Sequence, residues 1–207
     1  MARREFIYDN KTNFILQTKD YNAQGTLISS LYYDYDKRGN VIKQYILNSS
    51  GQLQKGTAVE HSEYDDNNRP VAVWYSNQKG QPVNKPGTKT SKIINKYDTR
   101  GNIIEKTFWG VDGKPSVDEQ GAFKREQRFN DLGLPVYERN LDANGKPLIG
   151  KDVNPEGKCE YDKQGNMTNI ECYDGYGKPR LSSDGFFKAT SKFNQAKIGR
   201  ASCRERV

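Results

Sequence analysis

Short stretches of alternating apolar and polar residues run along the chain, each ending in a cluster of Asp, Asn and Gly. Pro70-Val-Ala-Val-Trp-Tyr75 and Asn102-Ile-Ile-Glu-Lys-Thr-Phe-Trp109 are representative. A period of two puts successive side chains on opposite faces of a strand. No segment shows the i, i+3, i+4 spacing of an amphipathic helix. The pattern predicts antiparallel strands joined by tight hairpins.

The turns recur. An aromatic residue opens an Asp/Asn turn at Tyr8, Tyr35, Tyr64, Tyr97, Phe129, Tyr161 and Phe193, and the last four are 32 residues apart. The clearest copies read Tyr-Asp-Lys-Arg-Gly-Asn (35–40), Tyr-Asp-Thr-Arg-Gly-Asn (97–102) and Tyr-Asp-Lys-Gln-Gly-Asn (161–166). Asp36, Asp98 and Asp162 can bond the backbone ahead of them, while Gly39, Gly101 and Gly165 take positive φ at little cost. Gly133 holds the same place, and Asn68 substitutes for it where the motif reads Asp65-Asp66-Asn67-Asn68. A second turn lies 12 residues further on, at Gly51, Gly80, Gly113, Gly145 and Gly177, usually followed by Lys-Pro. A third break appears at Gly56, Gly87, Gly121 and Gly185, and the last full repeat shifts it to Asn154-Pro155-Glu156-Gly157. Each unit is expected to make two or three strands, with its prolines at strand starts or edges.

A period of this size signals repeat architecture. The fold class expected is all-β: a repetitive antiparallel β-hairpin array, either an elongated twisted meander or a section of a curved shell. Residues 1–197 form the array. Residues 198–207 break the pattern and resemble the translation of a sequencing adapter, so they are set apart from it.

Composition agrees. Hydrophobic residues make up 33% of the 207 positions and mean hydropathy is −0.98, too little for a thick core. Aromatics nevertheless reach 11%, with 13 Tyr, 8 Phe and 2 Trp, which suits thin sheets with ring-covered faces. The net charge of +7 is spread among acids in every repeat, unlike the basic stripe of a nucleic-acid binder. No apolar run is long enough to span a membrane as a helix.

Candidate chemistry is sparse. His61 is the only histidine, which excludes sites built on several imidazoles; a surface strand residue is expected there. Asp36, Asp98 and Asp162 recur at one turn position, whereas catalysis needs a single convergent cluster. No catalytic residue, cofactor site or metal site is expected. Asp152–Gly157 begins like a calcium loop, but Lys163 stands where the bidentate Glu is needed. Cys159 and Cys172 bracket one hairpin; Cys159 is expected to face about position 168, out of register for bridging, so both are expected to be free, partly buried thiols. The aromatic series is the one candidate surface: Trp74, Tyr75, Phe108, Trp109, Tyr173 and Tyr176 offer flat faces for a glycan or another protein. Rings at fixed repeat positions also serve as cross-strand packing pairs.

Repeated Tyr-Asp-x-x-Gly-Asn turns between aromatic strands resemble the YD-repeat (RHS-like) proteins, over about residues 8–194. Tyr8-Asp-Asn-Lys-Thr-Asn13 is a degenerate copy. The resemblance implies a segment of a large bacterial secreted or surface protein, in which strips of hairpins curl into shells, some around a C-terminal toxin. This chain departs from the pattern in its alternating 12- and 20-residue half-units and its Gly-Lys-Pro turn. The function implied is non-enzymatic scaffolding, with neighbouring repeats of the same polypeptide as the first partners. Its alternatives are a carbohydrate- or cell-wall-binding module using the aromatics, and part of a toxin-carrying shell.

Overall fold

The computed structural model describes residues 2–150 and 154–193, and the backbone of 199–205. The first seven strands are β1 (Arg3–Tyr8), β2 (Ile15–Tyr21), β3 (Leu27–Tyr35), β4 (Val41–Asn48), β5 (Val59–Tyr64), β6 (Pro70–Ser76) and β7 (Lys92–Tyr97). They are followed by β8 (Ile103–Trp109), β9 (Lys124–Phe129), β10 (Pro135–Leu141), β11 (Glu156–Tyr161), β12 (Met167–Tyr173), β13 (Lys188–Phe193) and β14 (Gly199–Glu205). Sheet order follows sequence order from β1 to β14. There is no helix among the described residues, so the all-β hairpin array read from the sequence is what the chain forms. Each repeat supplies two strands.

The contacts divide the chain into two units, Met1–Ile94 with Trp109–Lys114, and Asn95–Phe108 with Pro115–Val207. In the first, Asp36 shows how the hairpin closes. Its carboxylate accepts from the backbone N–H of Arg38 and Asn40 (2.8 and 2.9 Å) and from the Asn40 side-chain amide (2.9 Å). Gly39 then takes φ 87°, and Asn68 manages φ 59° in the next turn, as the residue best suited after Gly to the left-handed region. The register slips by one residue beside the anchors Tyr35 and Tyr64, the bulge expected of this turn. In the second unit Asp98 and Asp162 repeat the network.

The anchor tyrosines tie repeats together. Tyr35 donates its hydroxyl to the Ile15 carbonyl at 2.8 Å and Tyr64 donates to Val41 at 3.0 Å. In the second unit Tyr161 does the same to Pro135 at 3.0 Å. Each acceptor begins, or lies at the start of, a strand of the preceding hairpin.

Pro70 and Pro135 start strands, as expected, and the prolines after the second turn make single bridges: Ser76 with Pro82, Leu141 with Pro147, Tyr173 with Pro179. The residue after each proline donates instead, Val83 to Tyr75, Leu148 to Asn140 and Arg180 to Cys172. The missing N–H of proline is thereby accommodated. The third breaks at Gly56, Gly87, Gly121 and Gly185 all have positive φ. The break expected at Asn154-Pro155-Glu156-Gly157 is different. Glu156 and Gly157 lie inside β11, paired with Arg139 and Glu138 of β10, and Pro155 is fully buried ahead of them.

The core is thin. In the first unit it comprises Val59, Ala72 and Tyr75 with buried Ser and Thr; in the second, Phe108, Ala122, Leu141 and Cys172. β14, within the 198–207 segment set apart from the array, pairs with β13 from Lys188–Glu205 to Phe193–Gly199. Any extended segment can pair with an open strand edge, so this pairing leaves the adapter reading of that segment a matter of sequence.

Candidate functional site

Six aromatic residues were candidates for a binding surface, and the structure separates them. Tyr75 lies 11 residues after its anchor, and the same offset gives Phe108, Asn140 and Cys172. These four are 6%, 6%, 3% and 1% exposed. The position is therefore a core position, filled by whatever packs there, and Tyr75 and Phe108 serve the fold. Burial, then the negative charge of nearby Glu60, push the Tyr75 hydroxyl up to about 12.

Tyr173 and Tyr176 lie in the other unit. The Tyr173 hydroxyl donates to Glu171 Oε2 at 2.5 Å, and Lys158 Nζ lies 4.2 Å from its ring centre. Tyr176 is 64% exposed at the tip of the 174–178 turn.

Trp74 and Trp109 behave differently. Trp74 lies 10 residues after its anchor, where later repeats carry Thr107, Arg139 and Glu171. Trp109 lies 12 after its own, where Ser76, Leu141 and Tyr173 stand elsewhere. The repeat folds without an indole at either place. Both tryptophans line one cleft of about 700 Å3, together with Tyr75. Pro82, Ile94 and Val111 add apolar wall, and Glu63 and Lys92 supply charge at the rim. All of these residues belong to the first unit.

The strand register explains this assembly. Lys43 faces His61, His61 faces Trp74 and Trp74 faces Lys92 across β4 to β7, so the four share one face. On the next row Glu63 faces Ala72, which faces Ile94. Ala72 lacks a side chain large enough to fill the space beside Trp74. The His61 ring stacks on Trp74 at 5.3 Å and 6°, and Lys92 Nζ is 5.9 Å from the indole centre. His61 Nε2 and Ser76 Oγ share a hydrogen bond of 2.9 Å, and the same hydroxyl lies 3.1 Å from the Asn77 carbonyl. Burial, then the nearby Lys43 cation, hold the imidazole below its ordinary value, against a smaller pull from Asp34.

A second cleft of about 460 Å3 adjoins the first and shares Glu63 and Trp74 with it, adding Asp34, Lys43, His61 and Tyr64. The sequence reading named the tryptophans but missed Glu63, His61 and Lys92, whose common face depends on register. The available signal was the failure of both tryptophans to repeat.

The turn carboxylates are committed to their turns. Asn40, Asn102 and Asn166 donate to Asp36, Asp98 and Asp162, and these bonds head the causes that hold all three below the usual carboxylate range. Among the described residues no group of three or more His, Cys, Asp or Glu is placed to hold a metal ion. Asp152 and Val153 of the calcium-like segment lie outside the described residues. Gly113, Gly145 and Gly177 close the second turns at φ 73°, 75° and 88°. Cys159 and Cys172 are free. Cys159 faces Ile170, and Cys172 faces Gly157; the partner lies two residues beyond the expected 168, one from the bulge beside Tyr161 and one because the turn pairs Tyr161 with Met167. Cationic side chains are interleaved with acids, as in Lys124 with Glu126 at 2.6 Å and Lys188 with Glu171 at 3.0 Å.

No protein-family model matches the chain, and no curated protein sequence matches it. No helix among the described residues is long and apolar enough to cross a membrane. Among solved structures, the chain is similar to a TcdB2-TccC3-TEV crystal structure at 12% identity and a TM-score of 0.48, covering 96% of this chain and 10% of that one. It is similar to the Photorhabdus luminescens Tc holotoxin pore at 14% identity and a TM-score of 0.44, covering 98% and 11%. A porin-like protein from Bacteroides uniformis follows at 10% identity and a TM-score of 0.25, covering 97% and 93%. The chain thus spans about a tenth of the length of the first two.

Proposed function

We propose that this chain is a non-enzymatic scaffolding segment of a larger bacterial surface or secreted protein, built to extend a sheet by repetition. The observation that carries this reading is the reuse of one turn network. Asp36, Asp98 and Asp162 each bind two backbone N–H groups and one asparagine amide of their own turn. Asn130 makes the two backbone bonds in the unit between. Residues that look like catalytic carboxylates are thus spent on closing hairpins. Each repeat then bonds its neighbour, which is how solenoid-like arrays gain stability.

The amide already present at position 130 supplies the test. Replacing Asp36, Asp98 or Asp162 by Asn keeps an oxygen for the two backbone N–H groups but sets an NH2 against the amide of Asn40, Asn102 or Asn166, so it is expected to cost some thermal stability, alike at all three and less than Ala. Replacement by Ala is expected to lower it by a similar amount at all three. If one Asp→Asn variant loses a biological activity that the other two keep, the carboxylate at that site does chemistry and the scaffolding reading fails.

A second reading, saccharide binding, is favoured by one observation. The only two tryptophans of the chain meet in one cleft at places where the repeat needs no tryptophan. Isothermal titration with soluble oligosaccharides tests it, and absence of heat that depends on Trp109 would refute it.

A further inference from the structure

We infer that the outer edge of β1 is a docking site for the second strand of another hairpin of this repeat, entering antiparallel. The Tyr8 hydroxyl would bond its first carbonyl, and Glu5 and Arg3 would select its third and fifth side chains. The inference rests on the scaffolding reading and adds to it a place, a register and a charge rule for the partner.

Tyr8 stands apart from the other anchors. Tyr35, Tyr64 and Tyr161 each donate to the residue that begins the second strand of the preceding hairpin, Ile15, Val41 and Pro135. Six of the seven anchors are half-buried, whereas Tyr8 is 47% exposed. Its hydroxyl has no bonding partner among the described residues, and Phe6 beside it is also 47% exposed. The Phe6–Tyr8 ring pair, at 6.4 Å and 33°, has the geometry of Tyr33–Tyr35, at 6.3 Å and 33°. Tyr35 is covered by Phe14 of the preceding hairpin, 4.8 Å between ring centres. The rings of β1 are thus already set in the arrangement that a preceding hairpin covers.

β1 has β2 as its neighbour in the sheet, and its other side offers the backbone groups that an added strand can join. Six junctions between hairpins give the register. At each, the third residue of a second strand faces the residue three before the next anchor. Lys43 faces His61, Ala72 faces Ile94 and Asn169 faces Thr190, and the other three junctions agree. By the same alternation, the fifth residue faces the one five before the anchor. Applied to Tyr8, this register sets Glu5 against the third residue of the incoming strand and Arg3 against the fifth.

Charge narrows the choice of strand. At the fifth position Arg139 faces Glu156, Glu171 bonds Lys188 at 3.0 Å, and Trp74 has Lys92 Nζ 5.9 Å from its ring centre. Arg3 therefore suits an acid or an aromatic ring, and Glu5 suits a cation. Both are already oriented: the Tyr21 hydroxyl donates to Glu5 at 3.0 Å, and the Arg3 guanidinium stands 4.4 Å over the Tyr21 ring. A strand like β4, with Lys43 third and Tyr45 fifth, satisfies both. A strand like β10 would set Arg139 against Arg3, like against like.

The test uses the full chain and a fluorescein-labelled, end-capped peptide of residues 40–48 as the donor strand, followed by fluorescence anisotropy. A control peptide of the same length carries Lys43→Glu and Tyr45→Lys. The control is expected to bind about tenfold more weakly, and Arg3→Glu with Glu5→Lys in the chain is expected to reverse the preference. Tyr8→Phe is expected to weaken the first peptide about fivefold. Tyr64→Phe, the same change at an anchor already bonded, is expected to leave binding unchanged, and circular dichroism confirms that each variant is folded. Hydrogen exchange is expected to slow at the amides of β1. No saturable binding, equal binding of the two peptides, a preference that the charge swap does not reverse, or protection away from β1 would overturn the inference. So would dimerisation of the chain through β1 that the peptide cannot displace, which would assign the edge to a second copy. None of these outcomes touches the Asn and Ala series at the turn carboxylates, so the scaffolding reading stands or falls separately.

Discussion

Asn40 joins two hairpin turns through one side-chain amide: its Nδ2 donates to Asp36 Oδ2 of its own turn and to Asn68 Oδ1 of the next, both at 2.9 Å. One residue thus closes a turn and fixes the spacing to its neighbour. Asn40→Ala removes both bonds and is expected to destabilise the chain by about 1–2 kcal/mol. Asn40→Asp, which sets a carboxylate against Asp36, is expected to cost more than Asn40→Ala. Urea unfolding of the three proteins checks the order.

Positive φ alone and positive φ with crowding can be separated. Gly25 has φ 80° and open space around the place of a Cβ, whereas a Cβ on Gly175, at φ 82°, would overlap the Pro147 ring. Gly25→Ala is expected to cost about 1–2 kcal/mol, the price of the left-handed conformation. Gly175→Ala adds the displacement of a rigid ring and is expected to cost about 1–3 kcal/mol more. Equal losses in thermal unfolding would show that the two turns do not pack as described.

The Tyr173 hydroxyl, then Lys188, hold the Glu171 carboxyl down to about 2. A depressed carboxylate adds stability that is complete above its unfolded value near 4.5 and is lost as pH falls toward about 2. Tyr173→Phe removes the largest cause. The variant is expected to be less stable at neutral pH and to show a shallower loss between pH 4.5 and 2. Parallel acid-unfolding curves would contradict the pairing.

His61 gives a complementary pH signal. Its folded value lies below 6.5, from burial first and Lys43 second, so its contribution to stability is complete above 6.5 and lost as pH falls through the lower folded value. As the only histidine, it yields a single Hε1 resonance to follow in a proton NMR titration. The midpoint is expected below 6.5, with Trp74 fluorescence changing over the same range. Lys43→Ala is expected to move the midpoint upward. A midpoint at or above 6.5 would contradict the stacked, part-buried ring.

The fold was legible because the repeat writes its backbone chemistry into the sequence. Asp36, Gly39 and their counterparts announce their turns, and alternation announces the strands. The third break in the last repeat misled, since Gly157 looks like a turn residue yet has β-strand partners on both sides. The partner of Cys159 was misjudged because the turn pairing and a bulge each shift register without changing composition. Half of the candidate surface was visible as aromatic residues, but Tyr75 and Phe108 could not be told from Trp74 and Trp109 until burial separated core positions from the cleft. Glu63 and His61 come from β5 and Lys92 from β7, and only strand register sets them beside one β6 indole.

The most direct test of the scaffolding account is removal of residues 129–160, which joins Arg128 to Tyr161 and preserves the order of anchor, turn and strand. The account predicts a shortened protein that keeps β-sheet circular dichroism and a cooperative unfolding transition, at a lower Tm than the full chain. Loss of the sheet signal and of cooperative unfolding would contradict it, because units that depend mainly on their neighbours should close ranks when one is taken away.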